Sequence, residues 1–301
     1  MTRAEARSPL LTGVFRDGGR PVGLCTAKLH WAAGVVDVDH IASGALSGLA
    51  LPGGIPGPLH PDGHPDPATL GAGVRAFEAA LRKELGWRAR AVAYRQVYDR
   101  DLQVMARGTT LAREGSPVAV LDTRVATYDD YLRRLKSSRR AEQRRLRRRI
   151  DEDPGLKVYQ GPVAGAGIDR EELFRLINGT SKRNRVWSFP LPRIPSRRRV
   201  LAMLDLPGVE VVTYTGQDGR LVGASLAHDH PVAPAMGAWG ALPLGPDRRS
   251  GLWFDHHGRQ IQRFIERGRP VLIGGKGHVP AKTTLGFTAV PQWTVLRRLR
   301  G

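Results

Sequence analysis

Two pentads far apart in the chain match: Gly19-Arg20-Pro21-Val22-Gly23 and Gly219-Arg220-Leu221-Val222-Gly223. Each sits at the turn into the second strand of a hairpin, after Asp17-Gly18-Gly19 and Gln217-Asp218-Gly219 respectively. Such Asp-Gly and Gly-Gly turns supply the positive φ that a tight hairpin needs. Downstream, Gly44-Ala45-Leu46 parallels Gly240-Ala241-Leu242. A helical pattern follows each (70–85 and 252–266), then a strand (90–97 and 271–274). The order hairpin, strand, loop, helix, strand therefore occurs twice. The expected architecture is two tandem copies of one α/β unit, 1–126 and 127–301, each with a mixed sheet.

Between the copies the charge is uneven. Ten of the seventeen residues from 133 to 149 are Arg or Lys, against the single acid Glu142. Apolar Tyr128, Leu132, Leu135, Leu146 and Ile150 keep a broken helical spacing, so one amphipathic helix over 131–150 is expected to open the second copy. Like charges at i,i+4 repel, and an anionic partner would offset that repulsion. A plain solvated face is the other reading, since the whole chain carries a formal net charge of +19. That excess points to a polyanion. Further elements are a strand at 116–123, a strand at 156–160, a helix at 170–178 capped by Asp169, a short helix at 200–206 and a closing strand at 288–296. Residues 52–67 read as a Pro/Gly/His-rich loop. Residues 182–199 read as a basic, aromatic, proline-broken loop.

The single cysteine, Cys25, excludes an internal disulfide and a Cys-based metal cage. No apolar run reaches the length of a membrane span, and no signal-peptide pattern opens the chain. The expectation is a soluble cytoplasmic protein without an integral membrane segment. His228-Asp229-His230 alternates along a strand, which puts the two imidazoles on one face and the carboxylate on the other. Neither it nor Asp37-Val38-Asp39-His40 has a third ligand at a suggestive spacing, and no metal is expected.

The order of elements resembles the GNAT acyltransferase fold. A tandem pair resembles the Fem family of aminoacyl-tRNA-dependent peptidoglycan ligases and their relatives in natural-product pathways. The motifs carrying this lie over 128–290: the basic helix, the Gly219–Gly223 hairpin, Ile265-Glu266-Arg267-Gly268, Gly275-Lys276-Gly277, Lys282 and Gly286-Phe287. The resemblance implies a transferase that moves an aminoacyl group from aminoacyl-tRNA to a small-molecule or peptide amine, with no separate cofactor. An acyl-CoA-dependent N-acyltransferase is the first alternative, and a non-catalytic nucleic-acid-binding protein on a degenerate GNAT scaffold the second. Acetyl-CoA-dependent members carry small residues before the late helix, where backbone N–H groups meet a pyrophosphate. Here Arg248-Arg249-Ser250-Gly251-Leu252-Trp253 ends in an indole. The first half offers Leu70-Gly71-Ala72-Gly73 without the leading Arg or Gln. CoA is thus disfavoured as the donor.

In such transferases the lysine at the position of Lys282 is implied to neutralise charge on the donor ester or its tetrahedral intermediate. A surface loop lysine is the alternative. His256 and Asp255, in the first turn of the late helix, are also assigned to catalysis, with His256 the candidate base for the acceptor amine; exposed helix-start imidazoles without a role are also common. Lys276, Arg248, Trp239 and Trp253 are assigned to substrate binding. The tRNA contacts are assigned to Arg139, Arg140, Arg144, Arg147 and Arg148 of the basic helix, and to Lys182, Arg183, Arg185 and Trp187. Basic residues interleaved with an aromatic suit phosphates and an exposed base. Trp187 and Phe189 also read as core anchors of their loop.

Overall fold

A computed structural model describes residues 10–17, 20–30, 34–43, 67–106, 108, 111–183, 197–231, 234–243 and 249–299. The 52–66 loop, most of the 182–199 loop and Arg248 lie outside them, so the expectations for Arg185, Trp187 and Arg248 fall there too. The chain divides into two compact units, 1–119 with 289–301, and 120–288.

In the first unit β1 (Leu10–Asp17) pairs antiparallel with β2 (Arg20–His30), and β2 with β3 (Val35–Ser43). Helix α1 (Pro67–Leu85) then leads to β4 (Ala91–Tyr98), parallel to β3. A helical turn, α2 (Leu102–Met105), and β5 (Leu111–Glu114) complete this stretch. α1 begins at Pro67, where a missing N–H costs nothing. Gly71 and Gly73 therefore lie inside the helix and not in a loop ahead of it. Val74, Phe77 and Leu81 bury one stripe of α1 against Leu29, Val36, Val38 and Val92.

The second unit repeats the pattern. β8 (Val209–Gly216), β9 (Leu221–His228) and β10 (Ala235–Ala241) run antiparallel in turn, then α7 (Leu252–Glu266) leads to β11 (Val271–Gly275), parallel to β10. β6 (Val118–Asp122), β7 (Leu156–Pro162) and β12 (Thr288–Val290) extend this sheet, in the order β12-β6-β11-β10-β9-β8-β7. The closing strand expected at 288–296 is interrupted at Pro291, which cannot donate to a ladder. Its larger part, β13 (Gln292–Arg298), lies in the first sheet, whose order is β1-β2-β3-β4-β13-β5. Sequence order alone placed it with the second copy.

The single basic helix expected over 131–150 is two helices, α3 (Tyr128–Arg134) and α4 (Ser137–Asp151). Thr127 and Asp130 form a capping box at the start of α3, a signature worth about 1 kcal/mol. Leu135 then turns extended (ψ 154°) and is buried. Burying that leucine breaks the helix. α5 (Arg170–Arg183), opened by Asp169 accepting from the Glu171 amide at 2.8 Å, and α6 (Arg197–Leu204) cover one face of the second sheet through Leu173, Ile177, Val200, Val211 and Leu226. Approach is close here: a Cβ on Gly240 would come within 2.6 Å of the Ile177 nitrogen. Leu146 and Ile150 of α4 pack with Val212, Tyr214 and Leu252 on the other face.

Candidate active site

α7 is buried on two sides, and nine of its fifteen residues are buried. The side toward α4 is ionic. Asp255 accepts from Arg147 Nε at 2.9 Å, from Tyr214 Oη at 2.7 Å and from Arg259 Nε at 2.6 Å. Arg147 also donates to Gln262 at 3.1 Å, and Arg259 reaches back to Asp151 of α4. A buried carboxylate must be paired, and Asp255 is. The sequence reading set Asp255 beside His256 as a catalytic pair and Arg147 on the RNA surface; the structure brings Asp255 and Arg147 to each other.

His256 lies on the other side of α7. Its ring stacks on Trp239 of β10, with centroids 4.4 Å apart and planes 9° apart, and lies 4.1 Å from the His257 ring. Trp253 packs on His257 at 4.1 Å and stands edge-on to His278 at 5.7 Å. Burial above all, with the neighbouring His257 ring and the Lys282 ammonium opposing a second charge, holds the His256 imidazole well below its usual range. Burial likewise lowers His257 to about 3. Both rings are neutral at pH 7.

β10 and β11 separate early. Their register is one pair, Ala235 with Ile273, so Trp239 lies beyond the point where β11 departs. After β11 the turn 276–278 leads into α8 (Val279–Thr283), a single helical turn that carries Lys282. His278 at its N-cap has φ +53°, an uncommon conformation outside glycine. Lys282 is 6% exposed. Its ammonium donates to the carbonyls of Gly274 at 2.5 Å and Gly277 at 2.6 Å. Desolvation lowers its pKa to about 8, so it remains mostly charged at pH 7. Two of its three N–H donors are used.

The other sequence-assigned residues scatter around this centre. Lys276 is exposed on the glycine turn. Arg183 donates to Ala241 O at 2.5 Å and Thr180 Oγ1 at 3.0 Å, tying the end of α5 to β10, while Lys182 is exposed. Arg139 pairs with Glu142 at 2.8 Å and lies 4.7 Å over the Phe254 ring. Arg140 reaches the Arg133 carbonyl at 3.4 Å, and Arg144 pairs with Asp129 at 2.9 Å across the α3–α4 groove. Arg148 is exposed. Tyr214, Ser225 and Gln260 went unassigned. Their signal was faint: a polar residue at i+4 from His256, and a serine on an otherwise apolar strand.

No protein-family model and no curated protein sequence matches the chain. Solved structures do. One is the C-terminal DUF2156 domain of a protein described as a lysylphosphatidylglycerol synthetase, from Agrobacterium fabrum, with TM-score 0.64 and 15% identity over 98% of this chain and 84% of that one. Another is FemX, with TM-score 0.60 and 9% identity over 97% and 88%. A third is a tandem GNAT protein of the clavulanic acid biosynthesis pathway, with TM-score 0.56 and 13% identity over 98% and 84%. The chain has a tandem GNAT-like fold. At such identities the likeness concerns architecture, and function rests on the site. No helix among the described residues is long and apolar enough to cross a membrane.

Proposed function

We propose that the second unit is an acyltransferase centre that takes an aminoacyl group from aminoacyl-tRNA and delivers it to an amine. The observation that carries this reading is Lys282: a buried ammonium held by two backbone carbonyls, with one N–H left without an acceptor among the described residues. The acceptor nitrogen attacks the ester carbonyl carbon, and the developing oxyanion takes the third N–H of Lys282. Such a donor stabilises the transition state more than the ground state. The C–N bond forms and the C–O bond to the ribose breaks. His256, a neutral imidazole in a site that opposes a positive charge, hands the proton the amine loses to the departing ribose oxygen without storing it as an imidazolium. The ester is already activated, so the step balances without ATP.

The donor assignment draws support from the turn ahead of α7, the segment that receives the CoA pyrophosphate in acetyl-CoA-dependent members. Gly251 has φ +86°, and a Cβ there would lie 2.4 Å from a Leu146 methyl. The Ser250 carbonyl accepts from Arg149 at 3.1 Å. The basic helix thus covers the turn where a pyrophosphate would lie. α4 meanwhile exposes Arg144, Arg145, Arg148 and Arg149, a surface suited to an RNA backbone.

The deciding assay is incubation with a mixed charged-tRNA pool and candidate amines, with and without RNase, beside an acyl-CoA arm. Product that disappears on RNase treatment is expected; product made from acyl-CoA that survives RNase overturns the reading. On the docking surface, Arg148→Ala should weaken tRNA binding and lower its salt slope by about 1. Arg147→Lys, at a residue held by Asp255, should leave the slope unchanged.

A further inference from the structure

The inner face of α7 carries more buried hydrogen-bonding capacity than the proposed chemistry uses. Ser225, His256 and Gln260 are 2%, 3% and 1% exposed. Among the described residues, Ser225 Oγ, both ring nitrogens of His256, both amide atoms of Gln260 and His257 Nε2 have no hydrogen-bond partner. Leaving such buried atoms unpaired destabilises a fold, so their retention calls for a function.

They form one seam. Ser225 and Trp239 are register partners on β9 and β10, so their side chains share a face of the sheet. The Trp239 ring stacks on His256. Gln260 follows His256 by one turn of α7 and lies on the same side of the helix. α8, which carries Lys282, closes the end near His256: Trp253 stands edge-on to both His256 and His278, the α8 N-cap. The seam therefore runs along the sheet side of α7 from the point where the ester carbonyl is polarised.

Its chemistry is selective. A hydroxyl, a primary amide and neutral imidazoles each donate and accept, and none is charged. The carboxylate of Asp255 is engaged by Arg147, Arg259 and Tyr214 and is not offered to an ammonium. Lys282 repels a cationic side chain and would draw a carboxylate away from productive docking. An aliphatic side chain would leave every seam atom unpaired.

We propose that this seam seats the side chain of the transferred aminoacyl group, and that the group is uncharged and hydrogen-bonding, an amide or a hydroxyl. The inference rests on the donor being an aminoacyl ester. Sites built to hydrogen-bond a group reject analogues lacking it far more strongly than apolar pockets reject a missing methylene.

The test uses tRNAs each charged with a single amino acid (glutamine, asparagine, serine, threonine, leucine, lysine or glutamate) and one amine acceptor. The amide and hydroxyl donors should exceed leucine, lysine and glutamate by at least about tenfold in kcat/KM. Gln260→Met and Ser225→Ala, checked for folding by thermal unfolding, should erode that preference about tenfold while leaving uncharged-tRNA affinity unchanged. Leucyl or lysyl donors used equally well, or an unchanged ranking in both variants, would overturn the proposal. Calorimetry with adenosine 3′-amides of glutamine, serine, leucine and lysine separates the two layers. Should no charged tRNA react while the glutamine and serine amides still bind tenfold tighter, the donor reading fails and the seam stands. Equal binding of all four removes the seam assignment itself.

Discussion

α1 and α7 occupy equivalent places in their units, each joining the third antiparallel strand to a parallel fourth, yet they treat buried polar groups differently. α1 buries one carboxylate, Glu78, which accepts from Tyr94 Oη and Arg297 Nε, each at 3.0 Å. α7 buries an equivalent in Asp255, equally well paired, and adds His256, His257 and Gln260 with ring and amide atoms that lack partners among the described residues. Satisfied buried charge holds a helix in place. Unsatisfied buried polarity marks the side of the helix that serves something else.

The sharpest way to break this contrast is Lys282→Ala. Removing the cation should lower acyl transfer by about 10²–10³-fold, the scale seen when an oxyanion donor is lost, with tRNA affinity unchanged. An activity that survives the change would reduce the second unit to the status of the first.

Next in size are the two carboxylates. Glu78→Ala and Asp255→Ala each leave buried cationic or hydroxyl partners unpaired and should cost about 3 kcal/mol or more in denaturant unfolding. The comparison predicts a split in rate. Per folded molecule, the Glu78 variant should be fully active, whereas the Asp255 variant should be slowed because α7 carries His256 next to it. Equal rates in both would separate Asp255 from the chemistry.

The pH profile has a smaller effect and a definite sign. Burial lowers Lys282 to about 8, and the charged form is the active one. The rate should be at half its plateau near pH 8 and fall about tenfold per unit well above that. Stability should move the other way. Between about 8 and the ordinary lysine range the unfolded chain binds the proton that the folded chain has released, so the fold gains about 3 kcal/mol from this group as the pH rises. The difference between the native chain and Lys282→Met, followed by chemical unfolding across this range, isolates this contribution.

Much of this was legible in the residues. The matching pentads located both hairpins, and the bounds 252–266 coincide with α7, because an amphipathic pattern ending at Gly268 leaves little choice. Lys282 and His256 were nameable from a motif and a helix start. The exchange of β13 was not legible, since nothing in the residues of a single strand says which sheet it will join. Nor was the pairing of Arg147 with Asp255. The charge of the basic stretch reads alike whether an arginine faces solvent or a neighbouring helix, and that choice is made by the packing of Leu146 and Ile150. The seam escaped for a related reason: Ser225, Trp239 and Gln260 become neighbours only through strand register and helix phase.

The smallest test concerns backbone strain and returns to the two units. In the second, the positive φ ahead of α7 belongs to Gly251, where α4 leaves no room for a Cβ. In the first, a positive φ of 64° within β4 belongs to Gln96, near the irregular pairing of β4 with β13 between Trp293 and Val295. A left-handed non-glycine residue costs on the order of 1 kcal/mol. Gln96→Gly should therefore stabilise the chain by somewhat less than that, about 0.5 kcal/mol after glycine's larger unfolded-state entropy is subtracted. Gly251→Ala should destabilise it, through both strain and contact with Leu146. Paired denaturation curves decide the matter. If Gln96→Gly is instead destabilising, the glutamine side chain contributes more to β4 than its backbone costs, and the bulge is a built feature of the first sheet.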